Sequence, residues 1–172
     1  MILSAPGLLA PEHDFGDFTC GVVSLDDWLK RRATANQASG ASRTYVVCER
    51  SRVVGYYCLA SGALALNEAP GPIRRNMPDP VPIAILGRLA VDQSWQAKGL
   101  GAALLQDAVA RTLGACDIIG IRGLLAHAIS AEAKAFCENY GFLASPSQPM
   151  TLILSLKGGA QRRDQSAKRR PL

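Results

Sequence analysis

The sequence is poor in the residues and strings that carry most common chemistries. It holds two histidines, His13 and His127, and aromatic residues make up 6% of its 172 residues. Its five cysteines (Cys20, Cys48, Cys58, Cys116 and Cys137) are odd in number, and none stands in C-x-x-C spacing. That pattern speaks against a disulfide framework or a metal site and predicts reduced thiols in a cytoplasmic protein. No G-x-x-x-x-G-K-[ST] string is present, which excludes a P-loop. The apolar run Val53 to Asn67 is uncharged over 15 residues and contains two glycines. It is too short and too interrupted to span a bilayer, so no membrane partner is expected. The stretch "MILSAPGLLAPEHDF" has no basic residue ahead of its apolar part, and no secretory signal is expected.

What is present is the composition of an ordinary folded domain, 48% apolar and 19% charged. The length suits one domain with a sizeable core. The net charge of +5 lies wholly at the C-terminal end, where residues 157–172 carry six basic residues and one acidic. The remainder is neutral, with 13 basic and 13 acidic residues. A domain over 1–157 followed by a disordered basic tail over 158–172 is the expected organisation. Such a tail suits a polyanionic partner, and a solubilising or cloning-derived tail would look the same. Within the neutral body, basic residues cluster in "LKRR" (29–32), at Arg43 and in "IRRN" (73–76).

Periodicity gives a coarse map. "SLDDWLKRRATANQASG" opens with Ser24 and Asp27 at capping-box spacing and stops at Gly40, which predicts one helix. "TYVVCER" (44–50) and "VVGYYCLASGALAL" (53–66) predict an antiparallel strand pair. Residues 67–82 read as a proline-punctuated loop, and "IAILGRLAVD" (83–92) as a strand. A helix of roughly four turns is expected from Gly99 onward. "GIRGLLAHAI" (120–129) predicts a strand, and "SAEAKAFCENYG" a helix between a Ser130 N-cap and a Gly141 stop. "TLILSLK" (151–157) is expected to close the sheet. The order implies a mixed α/β sheet, with a right-handed crossover from 83–92 to 120–129.

The most informative stretch is "WQAKGLGAALLQDAVA" (95–110), where an apolar strand gives way to two glycines and a lysine and then to a helix. A helix N-terminus carries unpaired N–H groups and the positive end of the dipole. If residues 96–101 wrap that terminus, their N–H groups converge on an anion such as a pyrophosphate. Gly99 and Gly101 remove side chains that would hold the anion away, and Lys98 adds charge. G-x-G alone is weak, and here it lacks the third glycine and downstream acid of a dinucleotide fingerprint. A turn merely eased by glycine remains open.

The full string Gln96-Ala97-Lys98-Gly99-Leu100-Gly101 resembles the Q/R-x-x-G-x-G/A motif of the GCN5-related N-acetyltransferases (GNAT). "AEAKAFCENYGF" (131–142) resembles that family's later A-x-x-F-Y-x-x-x-G-F segment. The resemblance runs from about residue 15 to 157. "DDWLKRRATANQASGASRTYVVC" and "RRNMPDPVPIAILGRLAVD" are similar to one branch, the tRNA-acetylating toxins of toxin–antitoxin modules. The resemblance implies an α/β GNAT fold, a mixed, mostly antiparallel sheet with splayed strands flanked by helices. It implies acetyl-CoA as co-substrate and no metal. The pyrophosphate would rest on Gln96, Ala97, Lys98, Gly99, Leu100 and Gly101, with Ala102 closing the turn. The pantetheine arm would pair with the backbone of Leu89, Ala90 and Val91. Aminoacyl-tRNA, a ribbon-helix-helix antitoxin and a second copy in a homodimer are the implied partners. Lys30, Arg31, Arg32, Arg43, Arg74 and Arg75 are, as a group, candidates for the tRNA backbone.

The implied reaction is direct attack of an amine on the acetyl thioester, and the amine must be neutral. A lysine amine with pKa near 10.4 is only about 0.04% neutral at pH 7, whereas an α-amine near 7.7–8.0 is roughly 10–17% neutral. With only two histidines the balance leans toward an α-amine, and a carboxylate serving as base is an open alternative. One position departs from the family: the tyrosine that protonates the leaving thiolate, four residues before the final glycine, is here Cys137. A water-relayed proton from Cys137, substitution by Tyr140, and a weakened enzyme are three open readings. So are two rival functions: a small-molecule or protein N-acetyltransferase, and a non-catalytic RNA- or partner-binding module.

Overall fold

The computed structural model describes residues 2–156, so the expected basic tail lies outside the described residues. Seven strands form one sheet in the order β1-β2-β3-β4-β5-β7-β6, from β1 (Gly7–Leu8), β2 (Arg43–Glu49), β3 (Arg52–Leu64), β4 (Val81–Val91), β5 (Gly123–His127), β6 (Leu143–Ala144) and β7 (Thr151–Ser155). Among the described residues, five α-helices accompany them: α1 (Val23–Arg31), α2 (Ala33–Ser39), α3 (Gly71–Arg74), α4 (Leu100–Cys116) and α5 (Ala131–Asn139). The chain divides into two compact units. One comprises the residues through Ser61 with Ile85–Arg111, the other Gly62–Ala84 with the described residues from Thr112 onward.

In the first unit β2 and β3 pair antiparallel around a turn in which Arg50 takes φ +56°, with a bulge between Val47 and Cys48. Val46–Cys48 and Val53–Cys58 are buried, so these strands read as continuous apolar runs rather than as alternation. Gly55 is where α4 comes down: a Cβ there would stand 3.0 Å from the Leu104 Cδ1 and 3.2 Å from the Leu100 Cδ2. Leu100, Leu104, Leu105 and Ala108 are all buried, as the i+4 spacing predicts.

The single helix expected over 24–40 is two. It breaks at Arg32, whose φ is −123°, with neither glycine nor proline to signal it. The N-cap is Val22, without a side-chain cap, so the Ser24–Asp27 capping box does not form. Asp26 instead accepts the Cys20 N–H at 2.9 Å. Gly40 ends α2 at φ +81°, as expected. Leu29 and Ala33 are buried against Val46, Tyr56 and Ala90, with Trp28 packed beside them.

In the second unit the expected loop contains α3, and the side chain of Arg122 donates to the carbonyls of Ile73 (3.2 Å) and Pro72 (3.1 Å). The strand after that loop begins at Val81 rather than 83. Ser130 caps α5 by accepting the Ala133 N–H at 3.1 Å. Gly141, at φ +91°, ends the helix, with the N–H groups of Gly141 and Phe142 returning to Glu138 and Cys137. The two-residue strands β1 and β6 escape sequence periodicity altogether. Because β6 pairs with β7, the last strand lies inside the sheet between β5 and β6 and does not close it.

Candidate functional site

The end of β4 is fastened before the glycine turn begins. Asp92 is 1% exposed and accepts three hydrogen bonds: Thr19 N–H (3.1 Å), Ser94 N–H (3.0 Å) and the Ser94 hydroxyl (2.6 Å). Arg52 stands 3.4 Å from the same carboxylate. Burial alone would raise the Asp92 pKa, but the bonds from Ser94 and Thr19 and the charge of Arg52 outweigh it and hold the carboxyl below its usual value. A 3-10 turn over Gln93–Trp95 follows, capped by Asp92. Gln96 then folds its side-chain amide back, donating to the carbonyls of Cys20 (2.7 Å) and Val91 (2.9 Å). Lys98 lies with Nζ 5.1 Å over the Trp95 ring.

Between these anchors and α4 the backbone is wound left-handed at Ala97 (φ +60°) and Gly99 (φ +85°). Glycine adopts that conformation freely, whereas alanine is strained in it, a strain typical of functional turns. The first helical hydrogen bond of α4 runs from Ala103 N–H to Gly99 at 3.1 Å. Among the described residues, no acceptor answers the N–H groups of Ala97, Lys98, Gly99, Leu100, Gly101 or Ala102. A Cβ on Gly99 would meet nothing within 4 Å, so no neighbouring atom crowds the turn at that position. Six consecutive free N–H groups at the positive end of a 17-residue helix make a cradle for an anion. Of the residues assigned to it from sequence, Gln96 offers no free N–H, because it donates to the Gln93 carbonyl at 3.4 Å; Ala97 to Ala102 lie in this one segment, which follows Leu89, Ala90 and Val91 at the end of β4.

The other sequence-derived candidates fall in two groups. Lys30, Arg31 and Arg32 at the α1–α2 break and Arg43 at the start of β2 are exposed and belong to the cradle's unit. Arg43 donates to the Gln37 carbonyl at 3.1 Å. Arg74 and Arg75, exposed at the end of α3, belong to the second unit, as do Cys137 and Tyr140. Cys137 is buried, and burial, helped by the neighbouring Glu138 charge, pushes its thiol up. Tyr140 is 38% exposed at the C-cap of α5, its ring 5.2 Å from that of Phe136. His127 is exposed, with Nδ1 3.0 Å from the Thr151 hydroxyl.

Sequence reasoning missed Asp92 and Arg88. Asp92 carried a signal, since D-x-S after an apolar strand is a capping pattern. Arg88 carried none, because what distinguishes it is its contact with Trp28, 60 positions away. Among the described residues, no group of three or more His, Cys, Asp or Glu is placed to hold a metal ion, and no helix is long and apolar enough to cross a membrane.

The model of the acetyltransferase (GNAT) domain matches residues 40–143. The chain is 49% identical over 154 residues to the tRNA-acetylating toxin of Mycobacterium tuberculosis, covering 90% of this chain and 93% of that protein. It is similar to the solved structure of AtaT complexed with acetyl-methionyl-tRNAfMet, with a TM-score of 0.86 and 25% identity, over 94% of this chain and 99% of that one. It is similar also to a tyrosine-to-phenylalanine mutant of the AtaT toxin bound to the C-terminus of the antitoxin AtaR and acetyl-CoA, with a TM-score of 0.79 and 27% identity, over 96% of this chain and 100% of that one. With the cradle where that family's motif lies and the match spanning most of the chain, the protein belongs to the GNAT acetyltransferase family.

Proposed function

We propose that the protein is the toxin of a toxin–antitoxin module, which transfers acetyl from acetyl-CoA to the α-amine of aminoacyl-tRNA and so blocks translation. The observation that carries the reading is the run of six unanswered N–H groups from Ala97 to Ala102, in a chain 49% identical to a tRNA-acetylating toxin. A diphosphate needs many converging donors and no intruding side chain, and no neighbouring atom crowds the turn at Gly99. Acetyl-CoA supplies the activated acyl group as a thioester. Leu89, Ala90 and Val91 are its strand-like partners in this reading, and a backbone N–H there is the donor to the developing oxyanion.

The neutral amine attacks the thioester carbonyl carbon, the C–N bond forms, the C–S bond breaks, and the ammonium proton is lost. The leaving thiolate takes up a proton, the task assigned to Cys137 or Tyr140. The buried, upward-shifted thiol of Cys137 is protonated at neutral pH and is a weaker acid than a free thiol. That favours slow turnover over loss of binding. Lys30, Arg31, Arg32, Arg43, Arg74 and Arg75 contribute phosphate contacts, which position the RNA without reading its sequence. The antitoxin is of ribbon-helix-helix type, the active form is a homodimer, the compartment is the cytoplasm, and 158–172 is a basic extension of the 1–157 domain.

The test is transfer of labelled acetyl from acetyl-CoA to charged and to deacylated tRNA. Label on the charged species alone is expected. Label on free amines or protein lysines, with charged tRNA inert, would replace this reading with the small-molecule or protein acetyltransferase.

A further inference from the structure

Arg88 is the basic residue of β4, and its surroundings differ from those of the exposed clusters. It is half-buried, its guanidinium lies 5.0 Å over the Trp28 ring, and its Nη1 donates to the adjacent Gly87 carbonyl at 3.1 Å. Trp28 in turn stacks on the buried Tyr56, with centroids 6.0 Å apart and planes 8° from parallel. The ion pairs found among the described residues are Arg52–Asp92 and Arg111–Asp107, so no carboxylate answers the charge of Arg88. The nearby Cys58 thiol does not do so either. Burial pushes it up to about 11 against the lowering pull of Arg88, which leaves it neutral at physiological pH. A partly desolvated guanidinium steadied by an aromatic face but lacking a counter-ion is poised for an anion from outside.

Its position says which anion. Side chains alternate along a strand. Ala90 packs with Leu29 and Ala33 on the α1–α2 side, and Arg88, two residues earlier, shares that face through Trp28. Val91 faces the other way, toward α4, where a Cβ on Gly101 would stand 3.9 Å from it. Arg88 therefore stands one residue before Leu89, on the face of β4 turned away from the cradle helix.

We propose that Arg88 binds a phosphodiester at the 3′ end of the acylated RNA and so sets the α-amine against the thioester. The inference rests on acetyl transfer to aminoacyl-tRNA. In that acceptor the amino acid's carboxyl group is esterified, and phosphates are the anions it offers. The planar fork of a guanidinium matches two phosphate oxygens at once. Trp28 holds the fork in place before the substrate arrives, which lowers the ordering cost of binding.

Arg88→Gln and Arg88→Lys test this in steady-state assays with charged tRNA at several salt concentrations, alongside titration with acetyl-CoA. Arg88→Gln is expected to raise KM for charged tRNA about tenfold, the loss of one charge-assisted contact. The slope of log KM against log salt should flatten by roughly 0.7, the value for one contact to single-stranded nucleic acid. Affinity for acetyl-CoA should stay as in the wild type, which also reports an intact fold. Arg88→Lys should restore the salt slope but only part of the KM. An Arg88→Gln protein with unchanged KM and slope, or one that loses acetyl-CoA affinity in step with KM, overturns the proposal. Wild-type protein inert toward charged tRNA would instead sink the functional reading beneath it.

Discussion

Cys137 stands where the family's motif has a tyrosine, and the substitution trades a long phenol for a short thiol held inside α5. Its thiol is buried and shifted upward, so at neutral pH it keeps its proton and parts with it reluctantly. Proton transfer by a positioned side chain contributes about 10²–10⁴-fold to a rate. Cys137→Tyr is therefore expected to raise kcat for acetyl transfer about a hundredfold, the bottom of that range, while KM for acetyl-CoA moves little. An unchanged kcat would mean that the leaving thiolate draws its proton from elsewhere. Tyr140 is the alternative source, and Cys137→Ala tells them apart, since turnover that survives this change cannot depend on the thiol. The departure from the family was legible in "AFCENYGF"; the burial that gives it meaning was not.

The decisive element is the turn between β4 and α4. Its glycines and its place after an apolar strand were visible in the sequence, because φ-permissive residues at a helix start leave a local signature. The way it is held was not visible. The Gln96 amide reaches the Cys20 carbonyl, 76 positions away, and Asp92 takes the Thr19 N–H, 73 positions away. Gln96→Ala removes both bonds of the amide and leaves the six cradle donors in place but less fixed. Each bond contributes about 1 kcal/mol net, so acetyl-CoA affinity should fall about tenfold by calorimetry with a small loss in Tm. An affinity equal to the wild type's would show that the cradle is rigid without Gln96. The helices tell the same story. The caps of α5 at Ser130 and Gly141 were readable because caps are local. The break at Arg32 and the two-residue strands β1 and β6 were not, since each depends on what the segment packs or pairs with.

At the scale of the whole molecule, Asp92, a buried carboxylate that receives three hydrogen bonds, sets part of the response to acid. Asp92 has a lowered pKa in the folded state. Its contribution is therefore fully present above the unfolded carboxylate value, near 3.9, and is lost as pH falls through the lower folded value. The gap in Tm between the wild type and Asp92→Asn should be widest at pH 5 and above, and should close as the pH falls below about 4. A gap that stays constant across that range would mean the carboxylate acts through shape rather than charge.

The sequence by itself determined the family and the acetyl-transfer chemistry, and it marked the glycine turn before α4. These rest on residues contiguous in the chain, where backbone chemistry follows directly from residue type. The tertiary structure alone decided how Asp92, Arg52 and Gln96 fasten that turn, that the Cys137 thiol is buried, and that Arg88 lies on Trp28 with no carboxylate among the described residues to answer it. Those are matters of burial and of contact between residues tens of positions apart, and neither property belongs to a residue until the chain has folded.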